Sequence, residues 1–145
     1  MNDIEIKVGH TLPIEQLFDL YNSVGWTDYT NEQSGDMLAT AVRNSTYVVS
    51  AWKDGVLVGL ARGLSDDVSI FYLQHILVQP DLQGMGIGRL LLDNCLERFK
   101  HVRTKLLLTD GDEQRLKFYE SMGFKNTRHL QKITVNAFIQ TSGTE

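Results

Sequence analysis

Residues Ile76-Leu77-Val78-Gln79-Pro80-Asp81-Leu82-Gln83-Gly84-Met85-Gly86-Ile87-Gly88-Arg89 read as the end of a strand, a glycine-rich turn and the start of a helix. Ile76, Leu77 and Val78 close the apolar run Ser69–Val78, whose two faces are both mostly apolar, as a central strand requires. Pro80 has no N–H for a ladder and ends it. Gly84, Gly86 and Gly88 tolerate positive φ and let a ligand approach the backbone closely. From about Gly86 to Lys100, apolar residues (Ile87, Leu91, Leu92, Cys95, Leu96, Phe99) recur at helical spacing. A new helix N-terminus offers unpaired N–H groups and the positive end of the macrodipole, and with the glycines it makes a phosphate cradle.

Two common phosphate motifs fail on spacing. A G-x-G-x-x-G fingerprint begun at Gly84 needs glycine where Arg89 stands, and begun at Gly86 it needs glycine where Leu91 stands. A P-loop begun at Gly84 needs Gly-Lys where the chain has Arg89-Leu90. What remains is Q-x-x-G-x-G, Gln83 to Gly88, after a strand ending I-x-V-x-P.

Upstream, Thr46–Trp52 and Val56–Leu64 flank Lys53-Asp54-Gly55, a hairpin signal, and Ser65-Asp66-Asp67 makes the next turn. Further back, Ile4 to Val8 alternates as a half-buried strand. Pro13 opens a short amphipathic helix carrying Ile14, Leu17, Phe18 and Tyr21, and Met37, Leu38, Ala41 and Val42 mark a second. Between them, Ser23–Gly35 is a polar loop holding Trp26 and Tyr29. Downstream, Lys105–Thr109 reads as a short strand and Asp112 to Met122 as a helix capped by Asp112 and stopped by Gly123. Phe124–Asn126 and Ile133–Phe138 read as two last strands, and the tail from Thr141 as frayed. The expected fold class is therefore α/β (α+β), one domain over 1–145, in the order β-α-α-β-β-β-α-β-α-β-β.

The segment Ile76–Arg89, joined to Leu106-Leu107-Leu108-Thr109 and Phe118-Tyr119-Glu120-Ser121-Met122-Gly123-Phe124, resembles the GNAT superfamily of N-acetyltransferases. The superfamily often reads N-x-x-A-x-x-F/L-Y-E-x-x-G-F at the second block. Here Asp112 replaces the usual Asn and Arg115 the usual small residue. The resemblance implies a mixed, mostly antiparallel sheet flanked by helices. It implies acetyl-CoA as cosubstrate and CoA as product, with the pyrophosphate on Gln83, Gly84, Met85, Gly86, Ile87, Gly88 and Arg89. It implies that the strand at Ile76, Leu77 and Val78 splays from its neighbour and leaves backbone groups for the pantetheine arm, one N–H near Ile76–Leu77 facing the thioester oxygen. Tyr119 is then the acid that protonates the departing thiolate.

An amine with a pKa near ~10 must lose a proton before attack. The family has no universal base, and the position where some members carry Glu or His is Tyr72 here. Strict alternation places Tyr72 and Gln74 on one face and His75 on the other, so His75 reads as packing. Trp26 and Tyr29 fall in the segment that usually walls the acceptor site, where they offer stacking or cation–π contact. Asp28 and Glu32 of the same loop are candidates to hold a cationic amine. Cys95 follows the apolar helix face and reads as core.

The chain has 145 residues, 42% hydrophobic and 22% charged, with net charge −4. That is an ordinary globular composition with no basic footprint for nucleic acid. A single cysteine excludes an internal disulfide, and no His or carboxylate spacing suits a metal. No apolar run reaches the ~18 residues of a membrane span and no secretory leader is legible, so a cytoplasmic protein with no membrane partner is expected. Dimers are common in the family, and no homodimer interface is legible here. The sequence points to transfer of acetyl to a small-molecule primary amine through a ternary complex. A protein or peptide acceptor and a non-catalytic acyl-CoA-binding module are the alternatives.

Overall fold

The aspartate–glycine pair Asp54-Gly55 has positive φ at both residues (52° and 78°), which turns β2 (Tyr47–Lys53) directly into β3 (Val56–Ser65). The computed structural model describes residues 3–31 and 34–141. Its contacts divide it into a first unit up to Leu108 and a second from Thr109.

In the first unit, β1 (Ile4–Val8), β2, β3, β4 (Ile70–Val78) and β5 (Thr104–Leu107) form one sheet in the order β1-β2-β3-β4-β5. All neighbours are antiparallel except β4 and β5. That parallel pair needs a crossover, and α3 (Ile87–Arg98) provides it. The sheet is mixed and mostly antiparallel, as expected. β4 has a strand on each side, although β3 is the middle of the five.

The two faces are covered by different helices. α1 (Ile14–Ser23) and α2 (Gly35–Asn44) bury Leu17, Leu20, Tyr21, Leu38 and Val42 against Val48, Trp52, Leu60 and Leu77. α3 buries Ile87, Leu91, Leu92 and Cys95 on the other face. It lies so close that a Cβ on Gly59 would meet Leu91 and Ile87 at 3.1 and 3.2 Å. Cys95 is core, and burial pushes its thiol up to about 12.

β3 and β4 slip by one residue between Arg62/His75 and Gly63/Leu73, so Gln74 is the extra residue of a bulge. This overturns the strict alternation expected of β4. Phe71 faces α3, where it stacks on Phe99 at 4.5 Å, whereas His75 faces α1 and reaches Tyr21. Tyr72, one step from Phe71, is therefore on the same face as His75, not the opposite one.

The turn after β3 is braced by Asp66. Its carboxylate accepts the N–H groups of Val68, Ser69 and Ile70 and the Ser69 hydroxyl, which hold it well below the usual carboxylate range. In the second unit, α4 (Glu113–Ser121) is capped by Asp112, whose Oδ2 accepts the Arg115 N–H at 3.1 Å. Gly123, at φ 94°, ends it. The two last expected strands do not form. Asn126 instead caps a 3-10 turn, Thr127–His129, and the described residues beyond it have no regular structure. A strand needs a ladder partner as well as an alternating pattern, and here the side chains stay in solvent (Ile133 64% and Phe138 95% exposed). Among the described residues no helix is long and apolar enough to cross a membrane.

Candidate active site

Gln79 donates its N–H to the Val58 carbonyl at 2.8 Å, which sets the parity of the β3–β4 ladder. In an antiparallel pair the bonded residues alternate. Leu77 and His75 therefore turn their backbone groups toward Leu60 and Arg62 on β3, and Ile76 and Val78 turn theirs the other way. On that other side β5 pairs only with Ile70–Leu73. Within the first unit the strands thus part after Leu73. The N–H and C=O of Ile76 and the N–H of Val78 face an edge with no strand, and the Val78 carbonyl accepts from Gln83 Nε2 at 3.0 Å.

That edge runs into the glycine turn. Pro80–Leu82 makes one 3-10 turn, and Gln83 closes it with its own N–H on the Pro80 carbonyl at 3.2 Å. Gly84 and Gly86 have φ of 81° and 91°, which side chains rarely tolerate. Nothing lies within 4 Å of where a Cβ would stand on either. Gly86 is the N-cap of α3, no side chain caps the helix, and its first turn carries no acidic residue. The first bond back is Leu90 N–H to Gly86 C=O, so the N–H groups of Ile87 and Gly88 belong to the open helix start. Ile87 itself is buried against the sheet, which fixes the helix while its N–H points outward along the axis. Met85 and Arg89 are exposed on the turn. The cradle has the room and the polarity for a phosphorylated cosubstrate.

On the α1 face of the same strand lies an aromatic cluster. Gly25 (φ 83°) reverses the chain after α1, and Trp26 N–H bonds back to Tyr21 C=O at 3.0 Å. A 3-10 turn, Thr27–Tyr29, follows. Tyr21, Trp26 and Tyr29 surround His75 with ring centroids 5.5, 5.2 and 5.0 Å from its own. The Tyr21 hydroxyl lies 2.8 Å from His75 Nδ1, and His75 Nε2 lies 3.3 Å from the Tyr29 hydroxyl. Burial pushes Tyr21 up to about 12. Burial and the Arg62 charge push His75 down to about 4. Trp26 also packs on the core under α1, so much of its ring is spent on packing.

Of the loop candidates, Tyr29 is 38% exposed and stands beside His75. Asp28 is exposed, and its backbone carbonyl accepts the Ser34 hydroxyl. Glu32 lies outside the described residues. Tyr72 is half-buried on β4, on the face shared with His75. Arg62 escaped the sequence reading, and Tyr21 was read only as part of the apolar face of α1. An arginine inside a strand pattern was a legible signal for the first, because a buried guanidinium demands partners.

Tyr119 belongs to the second unit. It is half-buried beside Phe118 and Phe124, at 5.2 and 6.1 Å between centroids. Burial raises its hydroxyl above the usual tyrosine value, with the Arg115 charge opposing. Asp110 accepts Arg115 Nη1 at 2.7 Å, which ties the start of α4 to the segment before it.

A mixed sheet that parts at β4 above an open glycine turn is the arrangement expected of an acyl-group transferase of the acetyl-CoA type. The model of the acetyltransferase (GNAT) domain matches residues 19–139, so the chain belongs to that family and is an acetyl-CoA-dependent N-acetyltransferase. Among relatives, the uncharacterized N-acetyltransferase ycf52 of Pyropia yezoensis is 23% identical over 126 residues, covering 84% of this chain and 70% of its own length. The GNAT-family protein SP0256 of Streptococcus pneumoniae superposes with a TM-score of 0.79 at 32% identity, over 94% of this chain and 98% of its own. An aminoglycoside acetyltransferase from an uncultured soil sample, solved with sisomicin, shares the fold at a TM-score of 0.66 and 19% identity, over 96% and 98% of the two chains.

Proposed function

We propose that this enzyme moves acetyl from acetyl-CoA to a primary amine of a small molecule by direct attack in a ternary complex, with residues 1–145 acting as one catalytic domain. The observation that carries the reading is the unpaired edge at Ile76 and Val78 leading straight into the Gly84–Gly88 turn. A pantetheine arm laid along that edge would complete the ladder that β5 leaves unfinished, and its pyrophosphate would meet the N–H groups of Gly86, Ile87 and Gly88. Gln83 would hold the turn closed, while Met85 and Arg89 would flank the phosphates.

In the transfer the amine nitrogen bonds to the acetyl carbon and the carbon–sulfur bond breaks. Negative charge gathers on the acetyl oxygen, and the Ile76 N–H is the donor best aimed to meet it. The parity of the ladder turns the Leu77 N–H to β3, which favours Ile76 over Leu77 for that role. Tyr119 would give its proton to the departing sulfur. The hydroxyl carries its proton at neutral pH in any case, and burial raises its pKa without making it a stronger acid, so the role rests on its place in the F-Y-E motif. Trp26, Asp28, Tyr29 and Tyr72 would form the acceptor side. Tyr72 is carried on β4, and Trp26, Asp28 and Tyr29 on the turn whose aromatic rings pack against His75 of that strand. A small-molecule acceptor is in keeping with the same fold in an aminoglycoside acetyltransferase solved with sisomicin. A cytoplasmic location, with the acceptor amine as the partner, completes the proposal.

The test is thiol release from acetyl-CoA with a panel of aryl-alkylamines, polyamines, amino acids and basic peptides, alongside calorimetry with acetyl-CoA. Release with a small amine is expected. Release with peptides alone would move the acceptor to a macromolecule. Binding without release from any of them would favour a non-catalytic module.

A further inference from the structure

Arg62 and His75 face each other across the β3–β4 ladder, both 7% exposed, and the transfer as derived above uses neither. A guanidinium carries only donors. Arg62 Nε points at His75 Nδ1 from 3.3 Å, so Nδ1 presents its lone pair. The Tyr21 hydroxyl donates to the same nitrogen from 2.8 Å. The other arm of Arg62, Nη1, donates to Ser45 Oγ at 3.2 Å, which fixes the guanidinium in place. The ring is neutral at pH 7 and its single proton is therefore on Nε2. Nε2–H reaches the Tyr29 oxygen at 3.3 Å. With that oxygen accepting, the Tyr29 O–H proton is turned away from the cluster, on a side chain that is 38% exposed.

We infer that His75 is a positioning residue for the acceptor. Held as the Nε2–H tautomer by Arg62 and Tyr21, it orients Tyr29 so that the hydroxyl donates to an oxygen of the amine substrate, which leaves the nitrogen lone pair free to attack. His75 is not the general base, because its only lone pair is engaged by Arg62 and Tyr21. This rests on the reading that the Trp26–Tyr29 turn walls the acceptor site.

Two measurements test it. The first is nitrogen NMR of histidine-labelled protein at pH 7, with His75 assigned by its loss in His75→Gln. An unprotonated Nδ1 and a protonated Nε2 are expected, and the reverse tautomer overturns the inference. The second is steady-state kinetics with 2-amino-1-phenylethanol as probe, a primary amine whose hydroxyl oxygen can accept the bond. Removing one hydrogen bond in Tyr29→Phe raises the amine KM roughly 3- to 10-fold, with kcat within about twofold and acetyl-CoA affinity by calorimetry unchanged. His75→Asn, too short to reach Tyr29, behaves as Tyr29→Phe does. His75→Gln, whose amide donates from nearly the Nε2 position, keeps the amine KM close to that of the parent. Equal effects of Asn and Gln, or no effect of Tyr29→Phe, overturn it. A parent chain that binds no acetyl-CoA would sink the proposed function and with it the acceptor role, while the nitrogen spectrum still reports the tautomer, so the two failures read separately.

Discussion

Gln83 spends its side chain on the Val78 carbonyl and its N–H on Pro80, so its task is to keep the glycine turn folded against the strand. Without the amide, the Val78 carbonyl loses its partner and the turn gains freedom that ligand binding must remove again. Gln83→Ala is expected to weaken acetyl-CoA binding by roughly tenfold in calorimetry, with a stability loss near ~1 kcal/mol. An unchanged affinity would show that the turn holds its shape without the brace. Tyr119 makes a contrasting prediction. Tyr119→Phe keeps the ring between Phe118 and Phe124 but has no proton to give. Acetyl-CoA should bind as before while kcat drops about 100-fold, within the range of a lost general acid. Undiminished turnover would remove Tyr119 from the chemistry. The motif made both residues visible in the sequence. The bond from Gln83 to Val78 was not visible, since it depends on how the four residues between them turn.

At the scale of elements, the bulge at Gln74 decides which residues share a face. Gly63 sits at that slip, where an added Cβ would overlap the Phe71 ring and stand 2.7 Å from the Tyr72 carbonyl. Backbone cannot swing aside as a flexible side-chain end does. Gly63→Ala should therefore cost on the order of 1–3 kcal/mol by overpacking, read as a lower urea midpoint. Gly84→Ala, with open space around it but φ of 81°, should instead cost strain in the turn and show mainly in cosubstrate affinity. The strands and helices up to β5 were legible because glycine, proline and Asp-Gly breakers frame them. The bulge was not. Phe71, Leu73, His75 and Leu77 are all buried, and because both sheet faces are covered the pattern runs through the slip without a break. The same ambiguity misled the reading of Ile133–Phe138, where alternation exists but no ladder partner does.

Across the whole molecule, the aromatic cluster around His75 joins residues far apart in the chain: Tyr21 and His75 are 54 positions apart, Tyr29 and His75 are 46. A local motif can reveal a turn of six residues, but a cluster closed over such distances exists only after the sheet has formed and α1 has packed on it. Its titration should be visible in global stability. Folded His75 has a pKa near 4 against an ordinary 6.5, because burial and Arg62 disfavour the charged ring. Tyr21, Tyr29 and Trp26 complete its surroundings and supply no carboxylate to offset that charge. Below pH 6.5 the unfolded chain takes up a proton that the folded ring refuses. Stability is thus full above about 6.5, falls as the pH drops, and levels off below about 4, for a total near ~3 kcal/mol. Asp66 acts in a different window: its depressed carboxylate loses its contribution only below the ordinary 3.8. Urea unfolding of the parent and His75→Gln between pH 4 and 8 separates the two. The midpoint of the parent should decline between pH 6.5 and 4, and the slope should flatten in the variant. Parallel curves would mean that the buried imidazole is not the group that links the aromatic cluster to the stability of the sheet.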